Sequence, residues 1–360
     1  MPKNNNELYV FNYREVFMKN KILLFTGIAL FIASAGLYAQ AAPSWVQNME
    51  SAYPARDWVA VNAQGTSQPQ AEAAAMNALA RAFRTDVASI TESSQRFSQV
   101  LNAGTVSFDE SKNFAQEINT STNVRGLIGV QIDVYRAPDR TVYVCARMNR
   151  HESAARYSGM IQENTRVITT LLTAAAAIPN QASFDVYARL SFAHTIAQVT
   201  DSFQNILEVL DPPAANRRPG YGGANSIKTR MLECASLITI GITVDTEQSS
   251  DRTLFTRAAG TFFRDLGFRI NEQGQGGYVL QVNARFEGIS QSVISSRYYL
   301  DAVLENTNRA AIFSFTEDDR KSHPNSASEA RRLAVRAVET SLKEGKFAQE
   351  FNTWLNSLLE

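Results

Sequence analysis

The chain has 360 residues, of which 44% are hydrophobic and 19% are charged, and its 35 Lys and Arg residues balance 35 Asp and Glu residues. A chain of this length predicts two domains, because single hydrophobic cores rarely grow beyond ~250 residues. The zero formal net charge argues against a nucleic-acid binder, because phosphate binding needs a local basic excess and no dense Lys/Arg cluster is present.

Residues 1–41 are predicted to form an extension followed by a secretory signal peptide. A short basic segment beginning at Met18 precedes a nearly unbroken apolar run over 22–37, and residues 39–41 form an Ala-x-Ala signal-peptidase site. The apolar run is shorter than the ~20 residues of a membrane-spanning helix, which favours a cleaved signal over a retained anchor. The polar residues 1–17 indicate Met18 as the true start. We therefore expect export to the periplasm, with membrane contact only through partners or an uncleaved signal.

Residues 42–150 are predicted to form a first α/β module. The stretch 58–65 has the length and β-branched content of a strand, and an alanine-rich run to Val87 carries an apolar stripe at helical spacing. Two further strand-like stretches follow at 118–136 and 141–148. This order predicts an antiparallel hairpin beside the first strand, with the helix on one face of a mostly antiparallel sheet.

Residues 151–210 are predicted to form an antiparallel helical hairpin, with its break near Pro179. His194 falls on the apolar side of the second helix, where a lone histidine is more often a core or boundary residue than a ligand. A linker is predicted at 211–228, because two prolines are followed by the glycine-rich stretch 220–223. No Gly-Lys-Ser/Thr follows these glycines, so we expect a flexible connection and not a phosphate loop.

Residues 229–360 are predicted to form a second α/β module of the same kind. A strand at 237–244 leads into a helix that Asp251 would cap and that Gly267 would end. Three more strands are expected, then a helix opened by the capping box Ser326 to Glu329, then a final helix with one aromatic face. The predicted strands are 278–286, 298–304 and 310–315. The fold class is therefore α+β, with two small sandwich modules joined by a helical hairpin and a Pro/Gly linker.

The sequence offers no catalytic, cofactor-binding or metal-binding residues. The three histidines fall at a helix start, on a helical face and in a loop, and none has a nucleophile-elbow motif to serve. They are His151, His194 and His323. The acidic run 317–319 is predicted to lie in a polar turn, and it lacks the alternating ligands of a calcium loop. We therefore expect a protein that is not an enzyme.

The two cysteines, Cys145 and Cys234, leave two alternatives open. An oxidising compartment would permit a disulfide between them, and two buried thiols acting as small hydrophobic side chains are at least as compatible with the sequence. No cysteine follows the apolar run of the signal peptide, which excludes lipid attachment at that position.

Residues 43–160 carry a family resemblance. Its landmarks are Pro43-Ser44-Trp45, Tyr53, Trp58, Gly65 with the alanine-spaced helix after it, and the segment Val-Tyr-Val-Cys-Ala-Arg-Met-Asn-Arg at 142–150. This pattern resembles the Lpp-twenty family of envelope lipoproteins and is similar to the N-terminal module of the flagellar T-ring protein. The lipobox cysteine of that family is absent from this chain.

Residues 235–358 more loosely resemble the small α/β domain shared by the amino-terminal region of TolB and penicillin-binding-protein activator lipoproteins. The two resemblances imply a periplasmic, non-catalytic assembly or scaffold role, in a flagellar or cell-wall machine or at the outer membrane.

The leading hypothesis is accordingly an exported protein that binds other envelope proteins. A homo-oligomer is left open. The alternative is a periplasmic ligand-binding or sensing protein that uses a cleft between the domains, and a large pocket lined by Tyr221, Tyr278 or Tyr298 would favour it. A hydrolase is the third hypothesis.

Overall fold

The computed structural model describes residues 42–83, 127–290 and 294–359. The predicted extension, signal peptide and Met18 start lie outside these residues, and so do the parts of the first predicted module within 84–126. In the described residues the chain is α+β, with two sheets and with helices packed on them, which confirms the predicted fold class. The exact domain boundaries stay a prediction.

The first sheet has three antiparallel strands in the order β1-β3-β2. After two short helices, α1 and α2, the elements are β1, the helix α3 on one face, and the hairpin of β2 and β3. Their bounds are α1 (Ser44–Gln47), α2 (Met49–Ala52), β1 (Trp58–Gly65), α3 (Gln68–Ala82), β2 (Gln131–Arg136) and β3 (Val142–Asn149). The predicted hairpin beside the first strand and the predicted helix are both confirmed.

Small residues let α3 lie close to this sheet. Ala71 and Ala75 are completely buried, and alternate residues of β3, from Val142 to Met148, face them. Gly65 ends β1 where a Cβ atom would come within 2.9 Å of the Ala71 nitrogen, so the turn into α3 requires glycine.

The helical hairpin consists of α4 (Arg150–Ala177) and α5 (Phe184–Leu210), as predicted. Most of its length packs in the core of the first sheet, and the end near its loop packs in the second core. Phe184 contacts Phe268 and Phe351 there, with ring centroids 5.3 and 5.9 Å apart. The hairpin therefore contributes to both hydrophobic cores.

The chain after α5 differs from the predicted flexible connection. Residues 211–228 include α6 (Pro212–Ala215) and the start of α7 (Ala224–Leu237), which packs along α5. Ala215 and Ala224 are buried. The Asp201 carboxylate accepts hydrogen bonds from the Ala224 N–H and the Tyr221 hydroxyl. The prolines and glycines thus build a tight reversal that the end of α5 holds in place.

The second sheet has five strands in the order β5-β4-β6-β7-β8, parallel from β5 to β6 and antiparallel from β6 to β8. Its elements are β4 (Thr239–Thr246), α8 (Ser249–Asp265), β5 (Arg269–Asn271), β6 (Tyr278–Ser290), β7 (Ile294–Glu305), β8 (Ala311–Ser322), α9 (Ala327–Glu344) and α10 (Lys346–Ser357). The helices α8, α9 and α10 cover one face with apolar side chains.

Two of the three predicted helix boundaries in this module are confirmed, and one is wrong. Gly267 follows α8 with a φ of 93°, and the Ser326 hydroxyl accepts the Glu329 N–H at the start of α9. Asp251 does not cap α8, because the helix begins two residues earlier, after Gln248. The Asp251 carboxylate is instead buried and binds the guanidinium of Arg331 on α9 at 2.6 Å.

Candidate protein interface

Strand β8 is the outer strand of the second sheet, and among the described residues no further strand pairs with it. Its first half, 311–316, contains no charged residue, whereas residues 317–321 are all charged. Alternate side chains point toward the helices, beginning with Phe313 and Phe315. The outer edge of the strand therefore has two chemically different halves.

Two cavities lie between β8 and the helices, and together we call them the β8 groove. The cavity at the uncharged half has a volume of about 420 Å³ and is bounded by residues 311–314 and by one face of α10. That helical face carries Glu350, Thr353, Trp354 and Ser357. Because four consecutive strand residues border the cavity, the backbone edge of β8 lines it together with alternate side chains.

Aromatic packing holds α10 against the strand and so fixes the width of this cavity. The ring of Phe313 lies 5.8 Å from that of Phe347, 5.4 Å from that of Phe351 and 5.6 Å from that of Trp354. Phe347 and Phe351 are completely buried, while Trp354 is half-buried. The helix can therefore keep its outer face beside the edge of β8 without a partner.

The cavity at the charged half has a volume of about 450 Å³ and lies between β8 and α9. Glu317 lies in the strand and is 7% exposed, so the prediction of a polar turn at 317–319 is wrong. Its carboxylate accepts hydrogen bonds from the Tyr298 hydroxyl at 3.0 Å and from the Ser341 hydroxyl, and it pairs with the Lys346 ammonium at 3.0 Å. Four elements therefore meet at this one side chain.

The charges at this half are largely satisfied within the chain. The hydrogen bond to Glu317 raises the pKa of Lys346, and the ammonium of Lys321 lowers the pKa of the Asp319 carboxyl. Burial, followed by the bond to Glu317, raises the pKa of the Tyr298 hydroxyl. Arg336 also lines the cavity, is exposed, and makes no ion pair with any residue that the structure describes.

This arrangement has the parts that strand addition needs. An edge strand offers unpaired backbone N–H and C=O groups, and pockets beside it can receive alternate side chains of an added strand. Proteins commonly protect such edges with charged side chains, and here residues 317–321 carry that protection. The uncharged half, 311–316, lacks it.

The three tyrosines that would have marked an inter-domain ligand cleft lie in different places. Tyr221 borders a cavity at the α5–α7 reversal, and Tyr298 borders the charged half of the β8 groove. The Tyr278 ring packs against Phe184, with centroids 4.7 Å apart. The structure therefore does not bring them into one aromatic-lined pocket.

The histidines are also separate. His194 Nδ1 lies 3.1 Å from the Ala224 carbonyl oxygen, and burial lowers its pKa, as expected for a boundary residue on α5. His151 is exposed at the start of α4, and the His323 ring accepts the Asn325 N–H after β8. In the part of the chain that the structure describes, no group of three His, Cys, Asp or Glu residues could hold a metal ion.

Both cysteines are free and buried, which answers the open question of a disulfide in this structure. Cys145 lies on β3 with its sulfur 3.9 Å from that of Met49, and Cys234 lies on α7 with its sulfur 3.3 Å from the Gln181 carbonyl oxygen. Burial raises the pKa of each thiol to about 11. Cys145 therefore belongs to the first sheet, and Cys234 packs in the core of the second sheet.

The outer face of the first sheet carries a cluster that the sequence analysis missed. Asp133 on β2 accepts hydrogen bonds from the Tyr53 hydroxyl and from Arg147 Nε, each at 2.7 Å. The Arg147 guanidinium lies over the rings of Tyr53 and Trp58, 4.7 and 4.9 Å from their centroids. These contacts tie the segment before β1 to the sheet, so this face is partly covered by the chain itself.

Comparison with known proteins identifies no family. No protein-family model and no curated protein matches the chain. The Lpp-twenty and TolB resemblances therefore stay predictions. Of the residues that the structure describes, no helix is long and apolar enough to span a membrane.

Three solved structures are similar to parts of the chain. A minor lipoprotein from Acinetobacter baumannii is 12% identical, with a TM-score of 0.23, over 33% of this chain and 92% of its own. A protein described as a lipoprotein from Caulobacter crescentus is 14% identical, with a TM-score of 0.22, over 32% and 89%. A secreted protein from Helicobacter pylori is 12% identical, with a TM-score of 0.36, over 79% and 97%. Similarity at these TM-scores carries no conclusion about function.

Proposed function

We propose that this chain is an exported, non-catalytic envelope protein that binds an extended segment of another envelope protein by strand addition at the β8 groove. The observation that carries the proposal is the uncharged edge of β8, at 311–316, which borders the cavity between β8 and α10. Backbone hydrogen bonds would supply affinity, and the cavity would receive a side chain of the added strand.

The residues of the groove also indicate which side chains the partner segment carries. An apolar side chain fits the cavity that Trp354 and Ile312 border. At the other half, an acidic group would pair with Arg336, because the neighbouring cations are already bound to Glu317 and Asp319. The partner is therefore an extended segment with an apolar residue toward one end and an acidic residue toward the other.

The envelope location rests on the signal-peptide pattern over 18–41. Together with the family resemblance of residues 43–160, it supports a periplasmic assembly role in a flagellar, cell-wall or outer-membrane complex. The proposal assigns no catalytic role, because no histidine in the described residues is bonded to a nucleophile and a second polar group that would orient it.

The test is chemical crosslinking in intact cells with a charged edge variant. Ser314→Lys places an ammonium group on the uncharged half of the exposed edge, where it should hinder strand pairing. The matched control is Gln281→Lys, which adds the same charge to the same exposed face on β6, an interior strand. Mass spectrometry then identifies the proteins attached to each variant.

We expect the wild-type chain and Gln281→Lys to crosslink to the same envelope protein, and Ser314→Lys to lose that adduct by about tenfold. Equal adducts from all three chains would overturn the assignment of the groove. An adduct only with a second copy of this chain would replace the proposed partner by self-association.

A further inference from the structure

A further cavity lies where the chain reverses between α5 and α7, and it shares no lining residue with the β8 groove. Its volume is about 520 Å³, which is within the usual range for small-ligand sites. The reversal that the sequence predicted as a flexible linker forms one wall, and the end of α5 forms the other. The wall is stable because Asp201 holds both Tyr221 and the first N–H of α7.

Many of the side chains that line this cavity are polar. Most small-molecule sites are lined by apolar side chains with a few polar groups, whereas here six of the lining side chains can donate or accept hydrogen bonds. They are Asp201, Gln204, Asn205, Arg218, Tyr221 and Asn225. Amides, a carboxylate and a guanidinium offer donors and acceptors in fixed planes, and the tyrosine adds a ring face.

Several of these groups lack a partner in the chain. The side-chain amides of Asn205 and Asn225 are exposed and make no hydrogen bond with the described residues. Gln204 is 7% exposed and donates to the Ala215 carbonyl oxygen, while its own amide oxygen is buried with no hydrogen-bond partner. This oxygen is out of contact with solvent, so the groups that are free to bind a ligand in the cavity are the exposed amides of Asn205 and Asn225.

The charges of the site disfavour an ionic ligand. Asp201 already occupies the N-terminal end of α7, where its negative charge repels an anion. Arg218 is already paired with Glu208 at 2.9 Å, and Tyr221 is the one aromatic ring among the described lining residues, so no aromatic cage for an organic cation surrounds the cavity. A neutral ligand with many hydroxyl groups fits best.

We propose that this cavity binds a neutral saccharide. The sugar hydroxyls would donate to the Asp201 carboxylate and exchange hydrogen bonds with the amides of Asn205 and Asn225. One face of the sugar ring would lie against Tyr221. This site is separate from the β8 groove and does not depend on the proposed protein partner.

The experiment is saturation-transfer NMR followed by titration of the full chain. The neutral probes are glucose, N-acetylglucosamine, maltose and chitobiose, and the charged probes are glucosamine and inorganic phosphate. The variant Asn205→Ala/Asn225→Ala removes two exposed amides that bond to nothing in the described chain, so its fold should be unchanged. The matched control, Asn352→Ala, removes an exposed helical asparagine that does not line the cavity.

We expect at least one neutral sugar to show saturation transfer, with affinity reduced about tenfold in the double variant and unchanged in Asn352→Ala. Tyr221→Phe, which removes one hydroxyl and keeps the ring, should weaken the same sugar by a smaller factor. Saturation transfer from none of the neutral sugars, or only from a charged probe, would overturn the proposal. Equal affinity of the wild-type chain and the double variant would also overturn it.

Discussion

The two sheets of this molecule are completed in different ways. On the first sheet, the segment before β1 closes part of the outer face, because the Tyr53 hydroxyl donates a hydrogen bond to Asp133 and the Arg147 guanidinium lies over the rings of Tyr53 and Trp58. On the second sheet, the outer strand β8 has no strand beside it in the described residues, and a groove follows its edge. The first sheet uses the chain's own side chains, and the second has the strand edge to which we propose that a partner segment adds.

The two regions also share one arrangement, in which a carboxylate accepts a hydrogen bond from a tyrosine hydroxyl and pairs with a basic side chain. Asp133 is partly exposed and its pKa is lowered, first by the Arg147 hydrogen bond. Glu317 is nearly completely buried and joins β7, α9 and α10 to β8. The difference in burial predicts that disrupting the second cluster costs more stability than disrupting the first.

The largest effect is expected from Phe347→Ala on α10. Phe347 is completely buried against Phe313 and Phe315, so its removal leaves a cavity behind the uncharged half of the groove. We expect the free energy of unfolding to fall by about 3–5 kcal/mol in urea titrations. The neighbouring Asn352→Ala is the control, and a loss in Phe347→Ala no larger than in this control would contradict the packing of α10 on β8.

Glu317→Ala should have the next largest effect. It leaves the Tyr298 and Ser341 hydroxyls without their acceptor, and we expect a loss of about 2 kcal/mol. The side chain faces the helices, so Ser314→Ala on the exposed face of the same strand is the control. Equal urea midpoints for the two variants would show that the four-element junction does not stabilise the module.

Tyr53→Phe tests the corresponding cluster on the first sheet and should cost about 1 kcal/mol at neutral pH, since it removes one hydrogen bond. Burial and the bond to Asp133 raise the pKa of Tyr53 to about 12 from an ordinary value of 10.0. Because the folded state holds this proton more tightly, the contribution is complete below pH 10 and is lost as the pH rises to about 12. Thermal unfolding at intervals across this range should show a difference from wild type that shrinks with pH. A constant difference would contradict the bond.

The two thiols give the smallest effect and report on each region separately. Because burial raises both pKa values to about 11, Ellman's reagent should react slowly with the two thiols of the folded protein. After unfolding without reductant, the reagent should react with both thiols. Tyr53→Phe should speed labelling of Cys145, which lies beside Met49 of the covering segment, and leave Cys234 unchanged. Fewer than two free thiols in the unfolded oxidised protein would indicate a disulfide.

The sequence predicted most of the elements because they have strong periodic patterns. The hairpin of α4 and α5 and the β1-to-α3 unit follow from apolar spacing alone. The sequence analysis did not predict α7, because few of its residues are buried and because Gly222 and Gly223, directly before its first residue, are typical of a linker.

The candidate interface was harder to predict than the fold. Phe313, Phe315 and Glu317 occupy alternate positions that face the helices, so the strand continues into the charged run. The sequence contained this signal, because the two phenylalanines and the glutamate are spaced by two. The burial of Glu317 was not predictable from its neighbours in the chain, because its partners, Tyr298, Ser341 and Lys346, come from three other elements. The edge position of β8 likewise depends on the order of all five strands.

The most direct test of strand addition is site-specific photocrosslinking in intact cells. A photoreactive residue replaces Ile312, Ser314 or Thr316 in turn along the edge strand, and Gln281 on the interior strand serves as the control position. The account predicts adducts with one envelope protein from the three edge positions and none from Gln281. The attached residues of the partner should move by two along an extended segment between the Ser314 and Thr316 positions, which lie in the regularly paired part of β8 beyond the irregularity at Ile312. Adducts from Gln281 as strong as those from Ser314, or no adduct from any edge position, would contradict the account.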